Sequence, residues 1–296
     1  MSLLESIILG FIQGVTEFLP VSSSGHLAIF KNFFGLQEVG ISFDILLHVG
    51  TLVAVFICFW SDIWELIVNG VGIVIDVCKN IGRFFGNLIN GKKPEYTKKD
   101  YVKVLETPYR RYVMLILIAT IPTGIMGILL KDTIERVSAA LLIPGICLLI
   151  TSVLLLIADN AKDGNDIEGT TSYKKAGFIG ICQGLATMPG ISRSGTTITA
   201  CLMAGLDRAF AVKFSFIVSI PAILGAAVLD IPDMFTESIS MTEWVNYGVG
   251  TVVSAVVGFV CIKTMLKVVR QKKFKGFSLY CAIMGLVAII GYFVTL

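Results

Sequence analysis

Glu17 and Arg193 each fall in a stretch that is otherwise apolar or small, where a charged side chain at bilayer depth costs about 2.5–3.5 kcal/mol on insertion scales. Each needs a partner or a task. Gln13 precedes Glu17 by four residues, so on a helix its amide carbonyl and the carboxylate share one face. Two oxygen ligands at that spacing suit a hard divalent cation, Mg or Ca, whose shell is completed by waters or by phosphate oxygens of a substrate. Arg193 offers a planar fork of donors that stays charged at any working pH and matches phosphate oxygens. A plain salt bridge between Glu17 and Arg193 is the alternative, and it is compatible with both roles in a resting state.

Hydroxyl groups cluster around both charges. Ser22, Ser23, Ser24 and Gly25 follow Pro20, and Ser192, Ser194, Gly195, Thr196 and Thr197 follow Pro189-Gly190. Each cluster begins a new helical segment after a breaker. The free N–H groups of a helix start form an anion site when they point into a cavity, so two such starts facing each other would cradle a diphosphate. Small hydroxyl residues are also ordinary packing residues in membrane helices. His26 lies three residues after Ser23, close enough on a helix to take or return the hydroxyl proton and so to activate serine toward phosphorus. A capping or bundle-bound histidine has the same spacing. His48, on the face of an apolar segment, reads as structural or supporting. The inventory fits phosphoryl chemistry on a lipid, and equally the transport of an anionic lipid.

The elements that hold these residues follow from composition. Of 296 residues, 55% are hydrophobic and 15% charged, with mean hydropathy +0.83, against roughly 25% charge in an ordinary soluble domain. A soluble enzyme is excluded. A net charge of +3 gives no reason to expect nucleic-acid binding. The seven cysteines lie mostly in apolar runs without a CxxC pair and read as small hydrophobes. The N-terminus lacks a basic n-region, so a cleaved signal peptide is not expected and residues 1–296 read as mature.

Crossing about 30 Å of hydrocarbon as helix takes about 20 mostly apolar residues. Six stretches qualify: 43–60, 112–130, 139–158, 209–229, 244–266 and 277–296. Two further apolar stretches, 3–33 and 176–206, are interrupted by the serine clusters. Non-helical backbone at membrane depth is tolerated where protein buries it or a polar cavity wets it, so these two predict re-entrant hairpins around a site. The fold expected is an all-α integral membrane protein with six transmembrane helices and two broken-helix hairpins. Residues 64–90 read as an amphipathic or partly embedded helix on the cytoplasmic side.

Loop charge sets the orientation. Residues 79–111 and 263–275 are rich in Lys and Arg, whereas 230–243 carries Asp230, Asp233, Glu237 and Glu243 without a basic residue. The first two belong in the cytoplasm and the third outside. Parity between them holds only if 176–206 enters and leaves on one side. Both termini then fall outside, and the first hairpin enters from the outer face.

The chain also repeats itself. Residues 11–26 (FIQGVTEFLPVSSSGH) and 181–196 (ICQGLATMPGISRSGT) align without gaps, sharing Gln13/Gln183, Gly14/Gly184, Ser22/Ser192, Ser24/Ser194 and Gly25/Gly195. Arg193 takes the position of Ser23. The similarity continues weakly from FDILLHVGTLVAV at 43–55 to FSFIVSIPAILGA at 214–226. The spans at 43–60 and 209–229 run in opposite directions, so one membrane domain, 1–296, is expected to hold two inverted repeats, about 1–160 and 170–296. Such pairs place their site near the midplane.

The stretches QGVTEFLPVSSSGHL at 13–27, PGISRSGTT at 189–197 and FDILLHVGTLVAV at 43–55 resemble the signature segments of the undecaprenyl-diphosphate phosphatases, the bacitracin-resistance family of membrane phosphatases. The resemblance covers essentially the whole chain. It implies a hydrolase that removes the terminal phosphate of undecaprenyl diphosphate and so recycles the lipid carrier for peptidoglycan synthesis. It further implies the bacterial cytoplasmic membrane, with the active site open to the outer face. By position, Glu17 matches the family's essential acid, Ser23 its nucleophile, Arg193 its phosphate-binding arginine and His26 its motif histidine. The family's first motif begins with Glu or Gln, and here it is the uncharged Gln13.

These placements give a mechanism. Gln13 and Glu17 hold a divalent cation against the diphosphate, while Arg193 and the N–H groups after Ser22 and Ser192 stabilise the transferred phosphoryl group. Ser23 attacks phosphorus with His26 moving the proton, or water attacks directly with Ser23 orienting the phosphate. The competing reading is a transporter or flippase for the lipid monophosphate. Metal identity, prenyl length and oligomeric state, a homodimer included, stay open.

Overall fold

A computed structural model describes all residues except 37–39, 91–92, 94–96, 139–140, 235–238 and 296. Parts of the expected spans at 139–140 and 296, and the loop charges Lys92 and Glu237, fall outside the described residues. The described residues form eleven helices: α1 (Leu3–Phe18), α2 (Ser23–Phe33), α3 (Ile41–Cys58), α4 (Trp60–Asn90), α5 (Pro108–Ser138), α6 (Leu142–Asn160), α7 (Tyr173–Leu185), α8 (Arg193–Met203), α9 (Arg208–Met234), α10 (Met241–Arg270) and α11 (Lys275–Thr295).

Six are long and apolar enough to cross a membrane: α3, Pro108–Lys131 of α5, α6, Arg208–Pro232 of α9, α10 and Lys275–Val294 of α11. These are the six stretches expected from hydropathy, and the chain is an all-α multi-pass membrane protein. Their outer faces are apolar in turn-spaced rows, such as Leu117, Ile121 and Ile125 on α5 and Val252, Val256 and Val260 on α10. Rows of this kind suit acyl chains, whereas the interior is filled by large side chains such as Phe18, Tyr112, Phe214 and Phe216.

Each interrupted stretch is two helices joined by a tight break. α1 opens on a capping box in which Ser2 and Glu5 satisfy each other's backbone N–H groups, and it ends before Pro20. The first break closes on Ser22, held at φ 71°, whose Oγ accepts from the Gly25 N–H at 3.3 Å. The second closes on Ser192, whose Oγ accepts from the Gly195 N–H at 3.1 Å. In both, serine supplies the N-cap that lets a helix restart away from water. Gly190, at φ 92°, has to be glycine for a second reason, since a Cβ there would stand 2.2 Å from the Pro144 carbonyl oxygen.

The helix pairs are wedged against long spans by close backbone approach. α1 packs along α10 and α7 along α5. A Cβ on Gly10 would lie 2.3 Å from the Gly250 carbonyl oxygen, and one on Gly180 would lie 2.2 Å from that of Ala119. At the far end of the bundle Asp163 ties three connections together. It accepts from Arg208 Nε at 2.5 Å and Lys272 Nζ at 2.8 Å. The Lys272 and Arg208 donors hold this exposed carboxyl below its ordinary range, so the tie is complete at neutral pH and weakens as pH falls.

Overpacking at such contacts costs about 1–3 kcal/mol. Gly180→Ala is therefore expected to lower the melting temperature in detergent. Gly248→Ala, which has open space around it, is expected to leave it unchanged or raise it slightly. Equal behaviour of the two variants would contradict the close α5–α7 approach.

Candidate active site

Sequence places Gln13 and Glu17 one turn apart at the C-terminal end of α1, and both are buried. The break then turns the chain so that the first residue of α2, Ser23, donates its hydroxyl to Glu17 Oε2 at 2.5 Å. The second break does the corresponding thing from the other half of the chain. Arg193, the first residue of α8, donates from Nη2 to Glu17 Oε1 and forms an ion pair with it. An acid from one helix pair and a base from the other thus meet, with serine on the same carboxylate.

The two helix starts abut through their smallest residues. Ser24 Oγ accepts from the Gly190 N–H at 3.4 Å, and Ser194 Oγ donates to the Leu19 carbonyl at 3.4 Å. A Cβ on Gly25 would stand 3.0 Å from Gly190 Cα, and one on Gly195 would stand 3.2 Å from Pro20 Cβ. Within each cap the hydroxyls lie near one another, Ser22 to Ser24 and Ser192 to Ser194, both at 3.3 Å.

A cavity of about 870 Å³ opens from this point and runs between α3, α5 and α9. Its polar end holds Glu17, Ser22, Ser23, Ser24, Ser192 and Arg193, and its walls are apolar, with Ile41, Ile45, Ile128, Ile223, Leu224 and Leu229. At the other end Lys131 Nζ donates to Asp230 Oδ1 at 3.1 Å. A charged head and an oily wall are the two halves of a site for an amphiphile.

Several expected site residues are placed elsewhere. Gly25, Ser194, Gly195, Thr196 and Thr197 do not line the cavity. They pack behind it, where Thr197 Oγ1 donates to the Arg193 carbonyl at 2.8 Å and thereby holds the first turn of α8. The helical spacing that grouped them with the serines also turns successive residues by about 100°, so only part of a cap can face one space. His26 corrects a second expectation. Its Nδ1 donates to the Ser22 carbonyl and its Nε2 accepts from the Tyr280 hydroxyl, both at 2.8 Å, with its ring stacked on Tyr280. Both nitrogens are occupied, so His26 braces the break and docks it on α11, and the Ser23 hydroxyl goes to Glu17.

The imidazole at the cavity is His48. Its Nδ1 donates to the Asp44 carbonyl at 2.8 Å, which leaves Nε2 facing Glu17 Oε2 at 3.8 Å. Its place on the face of an apolar span points by sequence to a structural or supporting role. The signal available was that FDILLHVG belongs to the repeated segment, so its polar positions share the interface that carries Glu17.

The fit of a divalent cation can be judged from the donors. Gln13 turns its amide nitrogen, not its oxygen, to Glu17 Oε2 at 3.1 Å, correcting the expectation of a carbonyl beside the carboxylate. Its Oε1 is buried without a partner, as is Oε1 of Gln183, whose nitrogen donates to Thr123. Among the described residues no group of three or more His, Cys, Asp or Glu could hold a metal. Gln13 does not line the cavity, so Glu17 is the one of the two groups placed to meet a cation whose remaining ligands are substrate phosphates, and the pair does not make an all-protein cage.

The family model described as Bacitracin resistance protein BacA matches residues 6–287. The chain is 40% identical over 290 residues to an undecaprenyl-diphosphatase of Methanosphaera stadtmanae, covering 98% of each protein. It is 37% identical to one of Desulforapulum autotrophicum, covering 99% of this chain and all of the relative. A third, from Halothermothrix orenii, is 35% identical over 98% of both. With a family match across nearly its whole length and relatives of this identity end to end, the chain belongs to the bacitracin-resistance BacA family.

Proposed function

We propose that this protein is an undecaprenyl-diphosphate phosphatase, releasing inorganic phosphate and the lipid monophosphate that carries envelope precursors. The observation that carries the reading is the meeting of Ser23, Glu17 and Arg193 at the polar end of an apolar cavity. The relatives are named for hydrolysis of the diphosphate, which favours the enzyme over a carrier of the monophosphate.

The geometry supports a sequence of events. Arg193 leaves Glu17 for the terminal phosphate, whose oxygens match its forked donors and replace the carboxylate as its counter-charge. The free N–H groups at the starts of α2 and α8 add donors where charge develops. Ser23 Oγ bonds to the terminal phosphorus as its proton passes to Glu17, and the anhydride P–O bond to the lipid phosphate breaks. Water then hydrolyses the phosphoserine, giving inorganic phosphate and restoring Ser23. Glu17 would hold a Mg or Ca ion, joined by Gln13 only if its amide turns to present its oxygen, and the ion when bound would neutralise part of the diphosphate charge. The apolar walls take the isoprenoid nearest the phosphates.

The same reading extends to architecture. The halves 1–160 and 170–296 are inverted repeats in this proposal, supported by reciprocal packing. Gly10 and Gly14 press on α10, and Gly180 and Gly184, at the repeat-equivalent positions, press on α5. The helix pairs are then re-entrant hairpins of the cytoplasmic membrane. The cavity runs toward Ile41, Lys131 and Asp230, at the ends of α3, α5 and α9 away from the basic stretches 79–111 and 263–275, which supports an opening on the outer face.

Phosphate release from a short prenyl diphosphate by detergent-purified protein tests the reaction. Ser23→Ala is expected to lower kcat by at least about 100-fold, and ³²P from a terminally labelled substrate should be trapped on wild-type protein by acid quench. Turnover at the wild-type rate in Ser23→Ala would eliminate the covalent route. No release from folded wild-type protein that binds prenyl phosphate would overturn the enzyme itself. The cation is tested separately: chelator should abolish release, and Gln13→Glu, by adding a charge, should lower the Mg concentration needed for half-maximal rate. Chelator-insensitive release would remove the metal from the scheme.

A further inference from the structure

Helix α4 is 31 residues long, yet only Ile63 and Asp76 on it are buried. Its polar residues Asp62, Glu65, Asn69, Asp76, Asn80, Arg83 and Asn87 are spaced by three, four or seven residues and form one stripe. That stripe is covered by the chain that follows. Asn87 exchanges two bonds of 2.9 Å with the Lys99 main chain, and Asn80 exchanges two of 2.8 Å with that of Val102. Arg83 donates to the Asp100 carbonyl, Thr107 donates to Asn69 at 3.1 Å, and Arg110 pairs with Asp76 at 2.9 Å. Residues 99–110 therefore run as a strap along the polar side of the helix.

The opposite side is left bare. Ile67, Val71, Val74, Ile81, Phe85 and Leu88 are all exposed, and at 1.5 Å per residue this row is about 32 Å long. A contiguous apolar surface of that extent is not kept in water by a soluble face. The helix also begins at Trp60, two residues after the α3 span ends, and the strap leads into the α5 span at Pro108, so both of its ends are fixed at a membrane boundary.

Charge decides the occupant. Over α4 and its strap, residues 60–110, eight basic residues stand against six acidic ones, and the excess is concentrated in 79–103, where Lys79, Arg83, Lys92, Lys93, Lys98, Lys99 and Lys103 face Glu95 and Asp100, a net of 7 − 2 = +5. Lys98, Lys99 and Lys103 are exposed. Two copies meeting side by side through this basic end would bring like charges together, whereas anionic lipid phosphates complement them. We propose that α4 and its strap form an interfacial anchor. It lies flat in the leaflet where the α3 and α5 spans end, with its apolar face among acyl chains and its lysines at anionic headgroups.

Bromolipid quenching tests this on the full chain. With Trp60, Trp64 and Trp244 changed to Phe, a single tryptophan is placed at Val74, Ile81 or Leu88, or on the strap at Tyr101. The proteins are reconstituted into vesicles of phosphatidylcholine and phosphatidylglycerol containing 6,7-dibromo lipid. Quenching at the three helix positions should exceed that at Tyr101 by at least threefold. Changing Lys98, Lys99 and Lys103 to Gln should reduce it at Leu88 in vesicles with phosphatidylglycerol and leave it unchanged in phosphatidylcholine alone. A second measurement uses the unaltered chain. Cys78, exposed on the same face, should resist a membrane-impermeant maleimide present on both sides of these vesicles. Weak lipid quenching with rapid Cys78 labelling would overturn the proposal in favour of a helix standing in water. Weak quenching with Cys78–Cys78 cross-linking would overturn it in favour of a second copy.

Discussion

The ion pair between Glu17 and Arg193 is the contact on which the rest of the structure depends. Its partners come from α1 and α8, 176 residues apart in sequence, and each stands in a segment that would otherwise be apolar. A buried pair of this kind contributes little net stability, because desolvating both charges offsets most of their attraction, but removing one partner costs about 3–5 kcal/mol by stranding the other. The pair therefore acts chiefly as a register device. The two broken helices meet in the arrangement that brings the charges together. Ser23, His48 and Gln13 then complete the surroundings of the carboxylate.

Burying that pair among apolar spans imposes the remaining features. Charge and non-helical backbone both have to be kept from lipid, so each break is surrounded by long spans and capped by its own serine. Close packing against those spans requires residues without bulk. Gly10 and Gly14 meet α10, Gly180 and Gly184 meet α5, and Gly190 meets the Pro144 carbonyl. His26, held between Ser22 and Tyr280, belongs to this scaffold. It fixes the first break to α11 in the way that Thr151, donating to the Gly190 carbonyl at 3.1 Å, fixes the second to α6.

Much of this was legible in the sequence for reasons of local physics. Hydropathy located the six spans because a helix in lipid has to be apolar over a fixed length, and proline, glycine and serine located the breaks because they stop one helix and cap the next. The residues that carry charge stood out because so few occur in apolar segments. What misled was proximity along the chain. His26 is three residues from Ser23, but its ring is claimed by a tyrosine 254 residues away. His48 is far from Ser23 in sequence and shares its cavity. Gln13 and Glu17 do share a helical face, but which end of the amide meets the carboxylate depends on its competing donors, and those arrive from other helices.

By itself, then, the sequence determined the solvent, the spans, the two interrupted segments, the family and the short list of residues able to do chemistry. The family rests on the likeness of its signature segments, and the others follow from composition and spacing over a few turns. Only the tertiary structure decided which of the listed groups face one another. Five residues of the two serine and threonine clusters turn away from the cavity, one histidine braces and the other faces the acid, and the polar side of α4 is hidden by its own strap. Those outcomes are set by contacts between segments remote in sequence, where helix rotation and competition for hydrogen-bond partners are resolved only when all the helices are packed.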